Sequence, residues 1–565
     1  MDRRSLLKGV ALAGGAASAL AAGRAAAAPA KTLSGQAAPY APALAKLAAY
    51  AELHRKTLNL PGVTLSVADA AGFSALITVG FADVERGLPV TGDHVFQIGS
   101  ISKSLVALCL FRLMEADRLD PDARMVALLP GVALAPDSPV TVQHLLSHSG
   151  GLPDDAPIFP RTADGLLWSD FTPGARWSYS NTGYTLLGHL LEHIHQRPLR
   201  EIIDHEVLTP LGMPGALGAI LDDDRDRYAL GYRPWRSDRP YPLAGRLGPA
   251  PWVDVAEGNG CVAATGPQMA RYLAWLIAAA KGRGAPLLSD AGAARYLAPV
   301  VDAPDWAPGA LYANGLAIVK VDGRTLIHHT GGMVSFSSSL HVDPAAGVGA
   351  FASTNVGMTN YRPRDITTYA CALMRWSRDG GPEPKAPDLP DPTIEKPQEY
   401  VGLFTAPDGR TLDIRAAGAG LSVVHGGLAQ PLQFRGPGRF LAPQGRLGRY
   451  HLIAERQDGR VRSIWNGPVE YAADPAQPRR PVNPALQALA GRYDNESPWN
   501  GVARIVAKHD GLSVDGETPL KQLPDGSWRV AADPTPPERL VFDAPLGGRP
   551  SRMTFSGVDF IRRSE

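Results

Sequence analysis

The sequence predicts an α+β fold in which an antiparallel sheet is flanked by helices, carries an inserted helical lobe, and is followed by two small antiparallel β-barrels. Three observations predict it. Helical and strand periodicities interleave from residue 38 to 378. A stretch dense in proline and acidic residues, 379–397, then breaks the packing pattern and reads as an extended linker. Beyond it helical patterns nearly vanish, and short apolar alternations begin twice in the same way. At 565 residues the chain can bury a large core and divide into two or three domains.

Taken in order, the chain opens with Arg3-Arg4, Leu6-Leu7 and Lys8, followed by an Ala/Gly/Leu stretch over 9–23. Ala25-Ala26-Ala27-Ala28 then suits the narrow pockets of a signal peptidase. These features predict a twin-arginine signal peptide over residues 1–30 and a periplasmic mature protein. No later run reaches about 20 apolar residues, so no stable membrane insertion is expected.

Residues 41–58 read as an amphipathic helix, and 62–67 and 76–79 as strands joined by a turn. Residues 102–113 are apolar on most sides, which predicts a helix buried in mid-domain. Helical patterns recur at 184–194 and 268–279. Residues 325–329, 336–342 and 348–353 alternate as antiparallel strands, the last two parted by the turn Asp343-Pro344-Ala345-Ala346-Gly347. A helix over 365–376 closes this domain, 38–378. The predicted barrels span 398–478 and 485–565, opening with Glu399-Tyr400-Val401-Gly402-Leu403-Phe404 and Ala488-Leu489-Ala490-Gly491-Arg492-Tyr493.

Composition excludes several function classes. Lys and Arg number 56 against 55 Asp and Glu, so no basic stripe for nucleic acid is implied. The three cysteines, Cys109, Cys261 and Cys371, lie in apolar or small-residue settings and read as buried filler, not as a disulfide framework. No His/Asp/Glu group has metal-ligand spacing on one face, and no nucleotide loop is present, so neither metal nor cofactor is expected. Asp222-Asp223-Asp224 reads as an exposed acidic loop.

Three short boxes carry the chemistry. In Ser100-Ile101-Ser102-Lys103, at the start of the apolar helix, the serine and lysine share one helical face, so an amine can activate a hydroxyl. The spacing alone is cheap, and Ser5 and Lys8 repeat it. In Tyr179-Ser180-Asn181, just before a helix, the first and third side chains can point into one cleft. A phenol beside Lys103 is expected there as phenolate, able to take the Ser100 proton. Tyr312-Ala313-Asn314 and Tyr493-Asp494-Asn495 match that pattern but read as structural. In His328-His329-Thr330-Gly331-Gly332 the glycines let a strand pass close to substrate. The Gly332 N–H can join that of Ser100 in holding a carbonyl oxygen, while His329 and Thr330 line the slot beside it. His328 is expected to satisfy a backbone group in the sheet.

Together with Gln97-Ile98-Gly99 and Leu145-Leu146-Ser147-His148-Ser149-Gly150-Gly151-Leu152-Pro153, these boxes resemble, in order, the serine β-lactamase and penicillin-binding family of class C type over about 38–378. The resemblance implies a β-lactamase-like catalytic domain in which Ser100 is acylated, Lys103 and Tyr179 shuttle protons, and Asn181 holds the substrate amide. His148 has a counterpart there that shapes a loop, which implies a water-exposed packing or hydrogen-bonding role. His329 stands where class C β-lactamases carry lysine, a variant like that of D-aminopeptidases, which also carry two C-terminal barrels, here taken as lipocalin-like. The implied function is a secreted serine hydrolase that cleaves amides beside D-residues in small or linear peptides. Candidate substrates are peptidoglycan-derived fragments and linearised cyclic peptides such as linear microcystin. Alternatives are a carboxylesterase and a non-catalytic penicillin- or wall-binding protein, and a homodimer is left open.

Overall fold

The computed structural model describes residues 30–389, 394, 396–418, 420–476, 479–509 and 511–564. The expected signal peptide therefore lies, but for Ala30, outside the described residues. Among them no helix is long and apolar enough to cross a membrane.

Chain order and alternation together build a ten-stranded antiparallel sheet. Its centre is Ser74–Asp83, Gly62–Asp69, Val348–Thr354, Ser337–Asp343 and Arg324–Gly332, side by side. Period-two alternation sends Val63, Leu65, Val67, Ala350 and Ala352 to one face, against the helices Ala41–Leu58 and Arg364–Asp379. Leu340, Val342 and Phe351 go to the other face, against Ser102–Glu115 and Gly266–Ala279. Both faces are covered, so every residue of Gly62–Asp69 is buried.

The expected mid-domain helix is Ser102–Glu115, and of its fourteen residues only Arg112 and Glu115 escape burial. Each of its leucines contributes about 2 kcal/mol by leaving water. Thr265 starts the Gly266–Ala279 helix by accepting from Gln268 N–H, while Gln268 Oε1 accepts from Thr265 N–H, a reciprocal cap. Gly266 is required because a Cβ there would lie 2.6 Å from Thr64 Oγ1 and 2.5 Å from Leu76 Cδ1. The three cysteines are free and buried. Two closed eight-stranded barrels follow, with strands running from Gly402 to Ala472 and from Gly491 to Arg563.

One buried ion group ties the sheet to its covering helix. Asp343 is fully buried and accepts from Arg324 Nε (2.6 Å), Arg375 Nη1 (2.9 Å) and Ala346 N–H (2.9 Å). Burial opposes its charge, but these donors, Arg324 first, hold its carboxyl below the usual range. Asp343→Asn should therefore cost about 2 kcal/mol at pH 7, read as a lowered thermal midpoint. A depressed carboxylate stabilises above its unfolded value of about 3.9 and loses that contribution as pH falls through the folded value. The difference between wild type and variant should accordingly shrink toward pH 2; a difference that grows there would contradict the assignment.

Candidate active site

The nucleophile candidate is positioned by a backbone contact. Ser100 lies in the one-turn 3-10 helix Gly99–Ile101 that runs into Ser102–Glu115. The end of the Arg324–Gly332 strand crosses this turn so closely that a Cβ on Gly99 would sit 2.8 Å from Gly332 N, and one on Gly331 would sit 1.9 Å from Ile98 O. Gly99 also holds φ +55°, the left-handed region that favours glycine. The result places the Gly332 amide at the Ser100 turn, as an oxyanion site requires.

Tyr179 and Asn181 are fixed by a helix start. Ser180 caps the helix Asn181–His195, its Oγ accepting from Gly183 N–H (3.0 Å) and donating to Pro153 O (2.7 Å). Tyr179 precedes the cap in extended backbone, and Asn181 is the first helical residue. His148 holds this corner: its Nδ1 accepts from Ser180 N–H (3.1 Å), and its ring lies 4.3 Å from that of Tyr179. The packing and hydrogen-bonding role expected of His148 is seen, but not the exposure to water: only 1 % of its surface is accessible.

Lys103 is wholly buried at the centre. Its Nζ donates to Asn181 Oδ1 (2.5 Å) and Asn259 O (2.6 Å), and lies 3.1 Å from Ser100 Oγ and 4.9 Å from the Tyr179 ring centroid. Asn181 Nδ2 donates to Asp155 Oδ1 (2.9 Å), which fixes the amide so that Oδ1 faces the lysine. Burial pushes the Lys103 amine down and the neighbouring Asp154 carboxyl up, so each favours its uncharged form. With two N–H groups taken by oxygens that only accept, the lone pair of a neutral amine is left for the Ser100 hydroxyl.

The expectation of a phenolate is corrected. Tyr179 neighbours Ser100, whose hydrogen bond favours ionisation, but burial outweighs it and raises the phenol far above its usual value. The phenol is thereby held toward its protonated form.

The third box divides. His328 bonds Leu340 O through Nδ1 (2.8 Å), the backbone role expected of it. His329 is wholly buried, its Nδ1–H donating to Thr330 O (2.7 Å) and its Nε2 bonded to Tyr312 Oη (3.0 Å). Burial, then the nearby Lys103, pushes its imidazole well below the usual value, so it supplies no positive charge. Thr330 pairs with Ser339, whose hydroxyl bonds Thr367, so alternation turns Thr330 toward the closing helix, away from the His329 side. Gly332 lines the cavity; His329 and Thr330 stand behind it.

That cavity, about 320 Å³, is lined by Ser100, Asn181, Asn259 and Gly332, with Asp155, Asp254 and Glu257 on its wall. Ser497, Trp499 and Asn500 of the second barrel close it. Several of these residues escaped sequence reasoning. Asp154 and Asp155 directly follow the Leu145–Pro153 box, a signal that was available. Arg362 was not: its Nη2 lies 1.9 Å from where a Cβ on Gly332 would be, and it donates to Tyr361 O and Ser337 Oγ. No carboxylate among the described residues pairs with it.

Residues 47–373 match the Beta-lactamase family model. The chain is 29 % identical over 324 residues to penicillin-binding protein 4 of Amycolatopsis lactamdurans, covering 53 % of this chain and 82 % of that protein. It is 29 % identical over 215 residues to esterase EstB of Burkholderia gladioli, covering 33 % and 53 %. It is 28 % identical over 280 residues to a D-aminopeptidase of Gluconobacter oxydans, covering 46 % and 50 %. The chain thus spans about half the length of the last two. The matched segment takes in Ser100, Lys103, Tyr179, Asn181 and the 328–332 strand and fills more than half of the sequence: the chain belongs to the Beta-lactamase family and is an enzyme of the β-lactamase-like serine hydrolase superfamily.

Proposed function

We propose that the protein releases an amino-terminal D-residue from small or linear peptides by amide hydrolysis through an acyl-Ser100 intermediate. One observation carries this reading: the cavity holding the Ser100 hydroxyl has three carboxylates in its lining, Asp155, Asp254 and Glu257, and the guanidinium of Arg362 lies against Gly332, another lining residue. A short zwitterionic peptide fits that polarity, its ammonium toward the carboxylates and its carboxylate toward the guanidinium. Trp499 and Asn500 line this cavity of about 320 Å³, a size that suits a small ligand. The D-aminopeptidase among the relatives supports the same reading.

In the proposed sequence Lys103 takes the Ser100 proton as Oγ bonds to the substrate carbonyl carbon. The Ser100 and Gly332 amides hold the oxyanion. The C–N bond breaks as the leaving nitrogen receives a proton from Lys103, relayed by the Tyr179 hydroxyl. Water, deprotonated by the same amine, then attacks the ester and frees Ser100. Asn181 both orients Lys103 and offers Nδ2 toward the substrate carbonyl. Carboxylesterase action through the same atoms is the second reading, supported by the esterase relative. A periplasmic location reached by the twin-arginine route, resting on Arg3-Arg4 and the Ala-rich stretch after them, belongs to the proposal.

Ser100→Ala should abolish turnover of D-alanyl p-nitroanilide, and Tyr179→Phe should lower kcat roughly a hundredfold. Near-normal rates in either variant would overturn the assignment. A base works only when deprotonated, so kcat/KM should rise with pH along a limb well below the ordinary lysine value of about 10.4, because burial lowers Lys103. A limb at about 10 would exclude the neutral amine as base. Asp254→Asn should raise KM about tenfold for D-alanyl amides with a free amine and leave N-acetylated esters unchanged. If N-acetylated esters are the better substrates of the wild type, the esterase reading replaces the aminopeptidase one.

A further inference from the structure

The junction between the two barrels holds a group of polar side chains that hydrolysis does not use. In the first barrel, strands Leu452–Gln457, Arg460–Asn466 and Val469–Ala472 lie side by side. Leu452, Ile464 and Tyr471 point into its core. Alternation therefore turns Glu455, Ser463, Trp465 and Glu470 outward, onto one patch. The patch is partly covered. A hairpin of the second barrel, between Val502–Lys508 and Gly511–Val514, lies over it and leaves Trp465 3 % exposed, its ring 5.1 Å from that of His509.

One carboxylate oxygen each from Glu455 and Glu470 and one imidazole nitrogen of His509 lie within 4.8 Å of one another. Two carboxylates this close in a partly covered junction repel unless something neutralises them. The nearest cations do not pair with them directly: Lys508 Nζ, 5.1 Å from the Trp465 ring centroid and within the field of Glu455, donates to Gly516 O (2.7 Å), and Arg479 donates to Thr405 O (2.6 Å) and the Glu470 carbonyl (3.4 Å). Among the described residues neither carboxylate has an ion pair within 4.0 Å. Supporting contacts orient two of the three donors: Ser463 Oγ donates to Glu455 Oε2 (3.3 Å), and His509 Nδ1 meets Arg480 O (3.2 Å), which as donor leaves Nε2 with a free lone pair.

We propose that Glu455, Glu470 and His509 bind a divalent cation that pins the second barrel to the first. Two carboxylates and an imidazole are a donor set for Zn²⁺, at about 2.0–2.2 Å from each, with a fourth position left to water. None of the three lines the Ser100 cavity, so the site stands apart from hydrolysis and from the reading of substrate above. The ion holds the barrels in the arrangement that carries Trp499 to the cavity.

The test uses the full chain stripped with a chelator and titrated with Zn²⁺ by calorimetry, with thermal unfolding followed in parallel. About one equivalent should bind, the midpoint of unfolding should rise, and His509→Ala or Glu470→Gln should weaken binding roughly tenfold or more. His509 follows the strand Val502–Lys508 and is only partly buried, so its variant is expected to fold, which the unbound midpoint checks. Absence of binding to the stripped protein, or equal binding by wild type and both variants, overturns the proposal.

Discussion

The Lys103 amine is held by two oxygens that can only accept, Asn181 Oδ1 and Asn259 O, and the one remaining direction points at Ser100 Oγ. Burial makes the charged form expensive, and the two short contacts make the neutral form fully satisfied. The proposed reactivity follows from hydrogen-bond accounting in a buried site, without a second titrating base. Asp155 belongs to this arrangement because it fixes which end of the Asn181 amide faces the lysine. An inverted amide would set two donors against each other and restore the preference for Ser100 as acceptor.

The same tightness governs the oxyanion side. Gly99 and Gly331 exist as glycines because the strand and the turn meet at distances no side chain tolerates. That contact brings the Gly332 amide to Ser100 and leaves its orientation to the sheet. The sheet is stiff there, its central strands buried on both faces, with Asp343 anchoring the strand next to the catalytic one to the closing helix through Arg375. A preorganised donor needs such a support, since an amide free to turn loses much of its advantage over water.

Much of this was legible in the sequence because it rests on local patterns. The apolar run after Ser100 could bury only as a helix, and the repeated openings at 399 and 488 lead into closed barrels. The three boxes converge as their spacing implies for Ser100, Lys103, Tyr179, Asn181 and Gly332. What failed depends on solvent exclusion and on contacts between distant segments. Tyr179 was read as phenolate from a neighbouring ammonium, but burial penalises both charges, so the attraction that would have stabilised the phenolate is lost with them. Asn259 is 156 residues from Lys103, and Arg362 reaches Gly332 from the segment just ahead of the closing helix. The Glu455, Glu470 and His509 group has no spacing that marks it, because its members meet only when one barrel covers the other.

The second barrel is part of the site in a stricter sense than covering it. Glu538 Oε1 accepts from Asp154 N–H (2.9 Å), Asp154 Oδ1 accepts from Asn181 N–H (3.1 Å), and Asn181 Oδ1 accepts from Lys103. Three consecutive hydrogen bonds thus link a barrel residue to the Lys103 amine. The docking around them is specific: Trp168 Nε1 donates to Pro537 O, Arg176 to Thr535 O, and Asp170 faces Arg529 and Arg539. Burial raises both Glu538 and Asp154, so this run of acids resists ionisation and keeps negative charge from drawing a proton onto Lys103. The tail therefore reaches the Lys103 amine through hydrogen bonds as well as closing the cavity over Ser100.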